Sequence, residues 1–146
     1  MNKVRCIKPF GGNFPVTSPF GERIDPITKI PTIHKGIDFG CPLGTPIRAV
    51  LDGRIIRAGW ENDLDHKQGY GQRIWMECNL NNEKLLIVYG HLSQINKAEG
   101  EMIMASGIIG LSGSTGKSTG PHIHLGARIK DTPTFLDFDF EDGSNG

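Results

Sequence analysis

Gly120-Pro121-His122-Ile123-His124-Leu125 sets two histidines on either side of one apolar residue. In a β-strand, residues i and i+2 share a face, with their Cα atoms about 7 Å apart. Both imidazoles then project from one side, and Ile123 enters whatever lies behind. Residues 125–129 continue the strand. A paired imidazole platform suits zinc. Two solvated histidines are the plain alternative, and spacing alone leaves open which of His122 and His124 would ligate.

The other histidines are His34, His66 and His91. His34 precedes Asp38 by four residues in His34-Lys35-Gly36-Ile37-Asp38. On a straight strand that separation is about 13 Å, so the pair can meet only if the chain bends. Gly36 and Gly40 offer backbone freedom for that bend. His91 ends the apolar run before it. Three ligands and two spare imidazoles can come from such a set, and catalytic zinc takes three protein ligands with a fourth position open. His66, between Asp65 and Lys67, reads as a solvated loop residue. Cys41 lies close enough to Asp38 in sequence to be a minor ligand candidate.

Around these residues the pattern is one of short strands. Over residues 72–79, Ile74, Met76 and Cys78 fall on one face, and Arg73, Trp75 and Glu77 on the other. A turn at residues 79–82 leads into a second strand at residues 84–89. The hairpin delivers His91 to its open end. Further strands are expected at residues 36–40, 46–50, 53–58, 102–104 and 108–111. Residues 1–20 read as an extended entry, and residues 22–33, 60–71 and 112–120 as loops. One helical turn is expected at residues 94–99, and the acidic tail beyond Asp137 is expected to fray at its end. No sustained 3.6-residue apolar period occurs, which indicates a β-dominated domain.

The chain has 146 residues, 37% of them apolar, with Gly 20 and Pro 9. That length suits one domain with one core. Lys+Arg 16 balances Asp+Glu 16, so bulk charge gives no reason to expect nucleic acid or an anionic membrane as partner. Cys6, Cys41 and Cys78 are odd in number and lack a Cys-x-x-Cys, so free thiols are expected. Residues 1–10 hold no long apolar core, and neither a signal peptide nor a transmembrane helix is expected. Gly116-Lys117-Ser118 imitates the end of a phosphate-binding loop. The required upstream glycine is absent, because Leu111 stands there, and the segment leads into a strand instead of a helix.

The chain resembles the lysostaphin-type (LytM-like) zinc metalloendopeptidases that cut bacterial peptidoglycan. The matching motifs are Ser18-Pro19-Phe20-Gly21-Glu22-Arg23, His34-Lys35-Gly36-Ile37-Asp38-Phe39, Gly44-Thr45-Pro46-Ile47, Tyr89-Gly90-His91-Leu92-Ser93 and the run from Gly113 to His124. The resemblance covers roughly residues 13–136 of one domain spanning 1–146. It implies a mainly β fold, an antiparallel sheet with a groove, built as a duplicated hybrid motif related to barrel-sandwich hybrids. It assigns one Zn2+ to His34, Asp38 and His124, leaving His91 and His122 as the catalytic pair. The sequence does not separate base from oxyanion donor between those two. The implied partner is a peptidoglycan peptide, cut in its stem or its cross-bridge by a monomeric enzyme. Without a leader, delivery falls to a phage virion, a lysis system or a leader absent from this chain. The family usually follows the His-x-His with Phe and an acidic residue, where this chain has Leu125 and Gly126. A catalytically silent zinc module of an envelope or virion is the alternative, and a plain peptide- or glycan-binding domain is a third reading.

Overall fold

Alternation between residues 72 and 80 lays down the first wall of the core. Ile74, Met76 and Cys78 are fully buried, and the residues between them are half-buried. The computed structural model describes residues 2–141. Its strands are β1 (Lys3–Cys6), β2 (Val16–Ser18), β3 (Gly21–Ile24), β4 (Pro31–His34), β5 (Ile37–Phe39), β6 (Pro46–Arg48) and β7 (Gly53–Trp60). They continue with β8 (Gln72–Leu80), β9 (Glu83–Ile95), β10 (Met102–Ile103), β11 (Ile108–Ser112), β12 (Ile123–Ile129) and β13 (Phe135–Phe140). No helix occurs among the described residues.

The main sheet runs β1-β13-β12-β9-β8-β7-β10, with β5 and β2 added beside β12, and β11 and β6 beside β9. Among the described residues only the β1–β13 pair is parallel. Asn81 and Asn82 close the β8–β9 hairpin with φ of 52° and 66°. Two successive positive φ values form the tight turn whose twist matches the strands it joins. β9 is buried on both faces, from Leu85 through Leu92. The Tyr89 hydroxyl, deep in this layer, accepts a hydrogen bond from the Val50 amide at 2.9 Å. Cys6, Cys41 and Cys78 are free and buried; burial pushes the Cys78 thiol up to about 12.

Two expectations are corrected. Residues 22–33 are not a plain loop: β3 and β4 pair as a separate two-stranded ribbon. Alternation could not reveal it, because the ribbon's isoleucines are exposed and only His34 on it is buried. The helical turn at residues 94–99 is absent; β9 runs on to Ile95 and an irregular turn follows. Residues 138–140 belong to β13 and pair with β1; the end of the tail, where fraying is expected, lies outside the described residues.

Candidate metal centre

β12 lies between β5 and β9, so His124 faces Asp38 across one edge and Gly90 across the other. Ile123 is fully buried, and His122, joined to Gly113 by an isolated bridge, points to the same side as His124. His34 ends β4, and the chain turns at Lys35-Gly36 before Asp38 in the middle of β5. That turn supplies the bend that the four-residue spacing demanded.

Gly36 has another reason to be glycine. A Cβ there would lie 2.5 Å from His124 Cε1 and 2.5 Å from the Leu125 carbonyl oxygen. Its φ is not positive, so room for the His124 ring, not backbone freedom, is the constraint. At Gly40 a Cβ would meet the Thr17 side chain at 2.7 Å.

His34, Asp38 and His124 bring three donor atoms together, all buried. His34 Nε2 stands 3.2 Å from His124 Nδ1 and 3.3 Å from Asp38 Oδ1, and His124 Nδ1 stands 2.8 Å from that oxygen. Ligands held tetrahedrally at zinc distances stand about 3.3–3.6 Å from one another. The triangle is therefore close to a zinc face, slightly short on one edge. Burial alone would raise the Asp38 carboxyl, but the adjoining His124 and His34 rings outweigh it and hold the group far below the usual carboxylate range. Burial pushes His124 down, toward the neutral form that metal binding needs. Two neutral imidazoles and one carboxylate suit a borderline-soft divalent ion with one open position. Cys41 is not part of this set.

Backbone carbonyls fix the tautomers. A carbonyl can only accept, so each imidazole nitrogen facing one carries its proton. His34 Nδ1 donates to Pro19 O at 3.0 Å, His91 Nδ1 to Thr115 O at 2.6 Å, and His122 Nδ1 to Gly120 O at 2.8 Å. In the neutral rings Nε2 is left as a bare lone pair. For His34 that atom is in the triangle. For His91 and His122 it is free to take a proton. Their rings lie 4.5 Å apart, and His122 Nε2 is 3.9 Å from Asp38 Oδ2. Burial first, then neighbouring His122, pushes His91 down to about 4, so it is uncharged at neutral pH.

His91 has φ of 62°. β8 and β9 shift register between Gln72 and Ile74, where two residues of β8 span three of β9. This bulge turns the His91 ring into the groove; such strained positions cost about 1–3 kcal/mol and gather at functional sites. The hairpin was expected to end near His91, yet the strand continues through it.

Sequence reasoning passed over Tyr70, and named Ser18, Arg23 and Thr115 only within matching motifs, with no role at the site. The Tyr70 ring lies 5.1 Å from that of His124 and 6.4 Å from that of His91. Nothing in its local sequence signals this, since it closes a polar loop. Leu125 is fully buried, and His124 Nε2 is buried without a partner. A Cβ on Gly126 would come within 3.4 Å of that nitrogen, so the departure at residue 126 falls beside a metal-facing ring. His66 stays apart from the site, exposed and stacked on Trp60 at 3.6 Å.

A groove passes the triangle, walled by the β3–β4 ribbon on one side and by residues 117–119 and Tyr70 on the other. It continues beyond His122 past Thr17, Ser18 and Pro121. This mainly β frame, with a buried His-Asp-His set in an open groove and two further imidazoles beside it, defines a zinc peptidase centre. The chain belongs to peptidase family M23, whose family model matches residues 32–135. It is 42% identical over 118 residues to the DD-carboxypeptidase/endopeptidase Mpg of Neisseria meningitidis, covering 81% of this chain and 25% of that protein. It is 44% identical over 92 residues to the glycyl-glycine endopeptidase ALE-1 of Staphylococcus capitis, covering 63% of this chain and 24% of that one. The catalytic domain of lysostaphin from Staphylococcus simulans superposes with a TM-score of 0.73 at 34% identity, covering 86% of this chain and 89% of that domain. The chain thus spans about a quarter of the length of the curated relatives it matches. No helix among the described residues is long and apolar enough to cross a membrane.

Proposed function

We propose that this chain is a zinc-dependent endopeptidase domain, monomeric and with a core over residues 13–136, that hydrolyses peptide bonds of bacterial peptidoglycan. The observation that carries it is a near-tetrahedral donor triangle flanked by two imidazoles with free Nε2 lone pairs. A zinc ion held by His34, Asp38 and His124 would supply Lewis acidity toward a water and toward the scissile carbonyl. His91 and His122 take the proton of the attacking water and return it to the leaving amine. Thr115 and Gly120 hold the two rings so that Nε2 faces the groove. No Glu stands in a His-Glu-x-x-His arrangement, so this imidazole pair replaces the usual carboxylate base.

The relatives' names point to two bond types, one between D-centres and one in glycine cross-bridges, and either could enter this groove. Recognition does not involve nucleic acid, in keeping with a zero net charge. Delivery to the wall by a phage virion or lysis system is part of the proposal. Turbidity of purified cell walls tests it. Clearing should occur with zinc-loaded protein, stop with a chelator and return with added zinc. Mass spectrometry of the products identifies the bond. A silent zinc module would bind metal without clearing any wall; the retained pair His91 and His122, each with Nε2 free, favours the enzyme.

A further inference from the structure

We propose that Ser18 and Arg23 set the metal affinity of this site without touching the metal, and this rests on the zinc reading above. Asp38 turns only Oδ1 toward the two imidazoles. Its other oxygen, Oδ2, lies 3.6 Å from Arg23 Nη1. The same Nη1 donates to Ser18 Oγ at 2.7 Å. Ser18 Oγ lies 3.2 Å from His34 Nδ1, which already donates to Pro19 O and so shares its proton between the two oxygens. A continuous path therefore runs from the outer oxygen of one ligand, through a guanidinium and a hydroxyl, to the back of another ligand's ring.

The strand pairing puts each member in place. Ser18 pairs with Asp38 across β2 and β5, at a register shift. Gly21 pairs with His34, and Arg23 with Thr32, across β3 and β4. Residues 21, 23 and 34 thus share one face of the ribbon. Gly21 adds no side chain opposite His34, which leaves that face to Arg23. The motif Ser18-Pro19-Phe20-Gly21-Glu22-Arg23 is what binds the ribbon to β5 at the metal centre.

Two effects of Arg23 oppose each other. Its charge beside the site repels a cation. Its ion pair with Asp38 Oδ2 restrains the carboxylate, and its hydrogen bond to Ser18 fixes the hydroxyl behind the His34 ring, so less freedom is lost when metal binds. Side chains that orient metal ligands are typically worth about 10–100-fold in metal affinity. The carboxylate of Asp38 is only slightly exposed and Arg23 only partly so, which favours orientation over a screened repulsion.

Zinc affinity measured by chelator competition is the test. Arg23→Gln should bind zinc about 10–100-fold more weakly, and Ser18→Ala should be weakened in the same direction by less. The double variant should bind no more weakly than Arg23→Gln, because the guanidinium and the hydroxyl it holds act along one path. Arg23→Lys keeps the charge but loses the planar, pre-organised guanidinium whose Nη1 meets both Ser18 and Asp38, so it should not restore affinity. Metal-free melting temperatures of both single variants should match the wild type. Ser18→Ala removes one hydroxyl only, so it carries the test if Arg23→Gln fails to fold. Unchanged or tighter zinc binding overturns the proposal, as does a metal-free melting temperature that falls in proportion to the lost affinity. Wild-type protein that binds no zinc would defeat the peptidase reading instead.

Discussion

The β3–β4 ribbon and strand β12 hold opposite sides of one metal triangle, and they are built by different means. β12 is paired on both edges and buried from Ile123 to Ala127. The ribbon pairs with nothing else, and exposes Ile24, Ile27, Ile30 and Ile33. A two-stranded hairpin alone is marginal in water. This one is tied down by His34 in the triangle, by the Ser18–Arg23 path, and by a Lys117–Asp25 ion pair at 3.5 Å across the groove. His124 is thus positioned by the sheet, whereas the ribbon is positioned largely by His34. The metal should matter more to the ribbon's order than to the sheet's.

The largest expected effect separates the two sides. His124→Ala and His34→Ala should both abolish zinc binding and wall hydrolysis. Only His124→Ala leaves a cavity inside the sheet and removes the closest partner of buried Asp38, so its metal-free form should lose about 2–4 kcal/mol in urea unfolding. His34→Ala should lose half of that or less. Equal losses would break the comparison.

His91→Ala and His122→Ala act on neither anchor. Both should retain one zinc and lose turnover by about 10²–10⁴-fold. Equal zinc loss in His122→Ala and His124→Ala would show that ligand and proton carrier are wrongly divided.

Removing zinc from the wild type should speed hydrogen exchange over residues 21–34 while β8, β9 and β12 keep their protection. Uniform loosening would mean that the ribbon is not the dependent partner.

A smaller effect concerns acid. Metal-free protein holds His91 neutral down to about 4, while an unfolded histidine titrates near 6.5. Between those values the unfolded chain binds the extra proton. Stability is therefore full above about 6.5, falls as pH drops toward 4 by on the order of 1–3 kcal/mol, and then levels off. Urea titrations of His91→Ala across that window should show a flatter slope. The smallest effect is at His66, whose Ala variant should change neither zinc content nor turnover.

Much of the site was legible because its residues carry strong local signals. His-x-His on a strand defines a face, and the interval from His34 to Asp38 demands a bend; both follow from strand geometry. The sheet was legible where burial alternates, as in β8. It was not legible in the ribbon, whose isoleucines face solvent on a structure too thin to have an inside. Nor was the bulge at His91, since its left-handed φ carries no glycine or asparagine to announce it.

By itself, the sequence determined a β-dominated chain, the candidate ligands and the strand that presents two of the histidines, because side-chain chemistry and a two-residue period are local properties. Tertiary structure alone decided that Gly36 must make room for the His124 ring, and that three carbonyls set the imidazole tautomers. It also brought Tyr70, Arg23 and Ser18 to the site. Those choices depend on which strands become neighbours across as many as about ninety intervening residues, and no local pattern encodes a distance between segments that far apart.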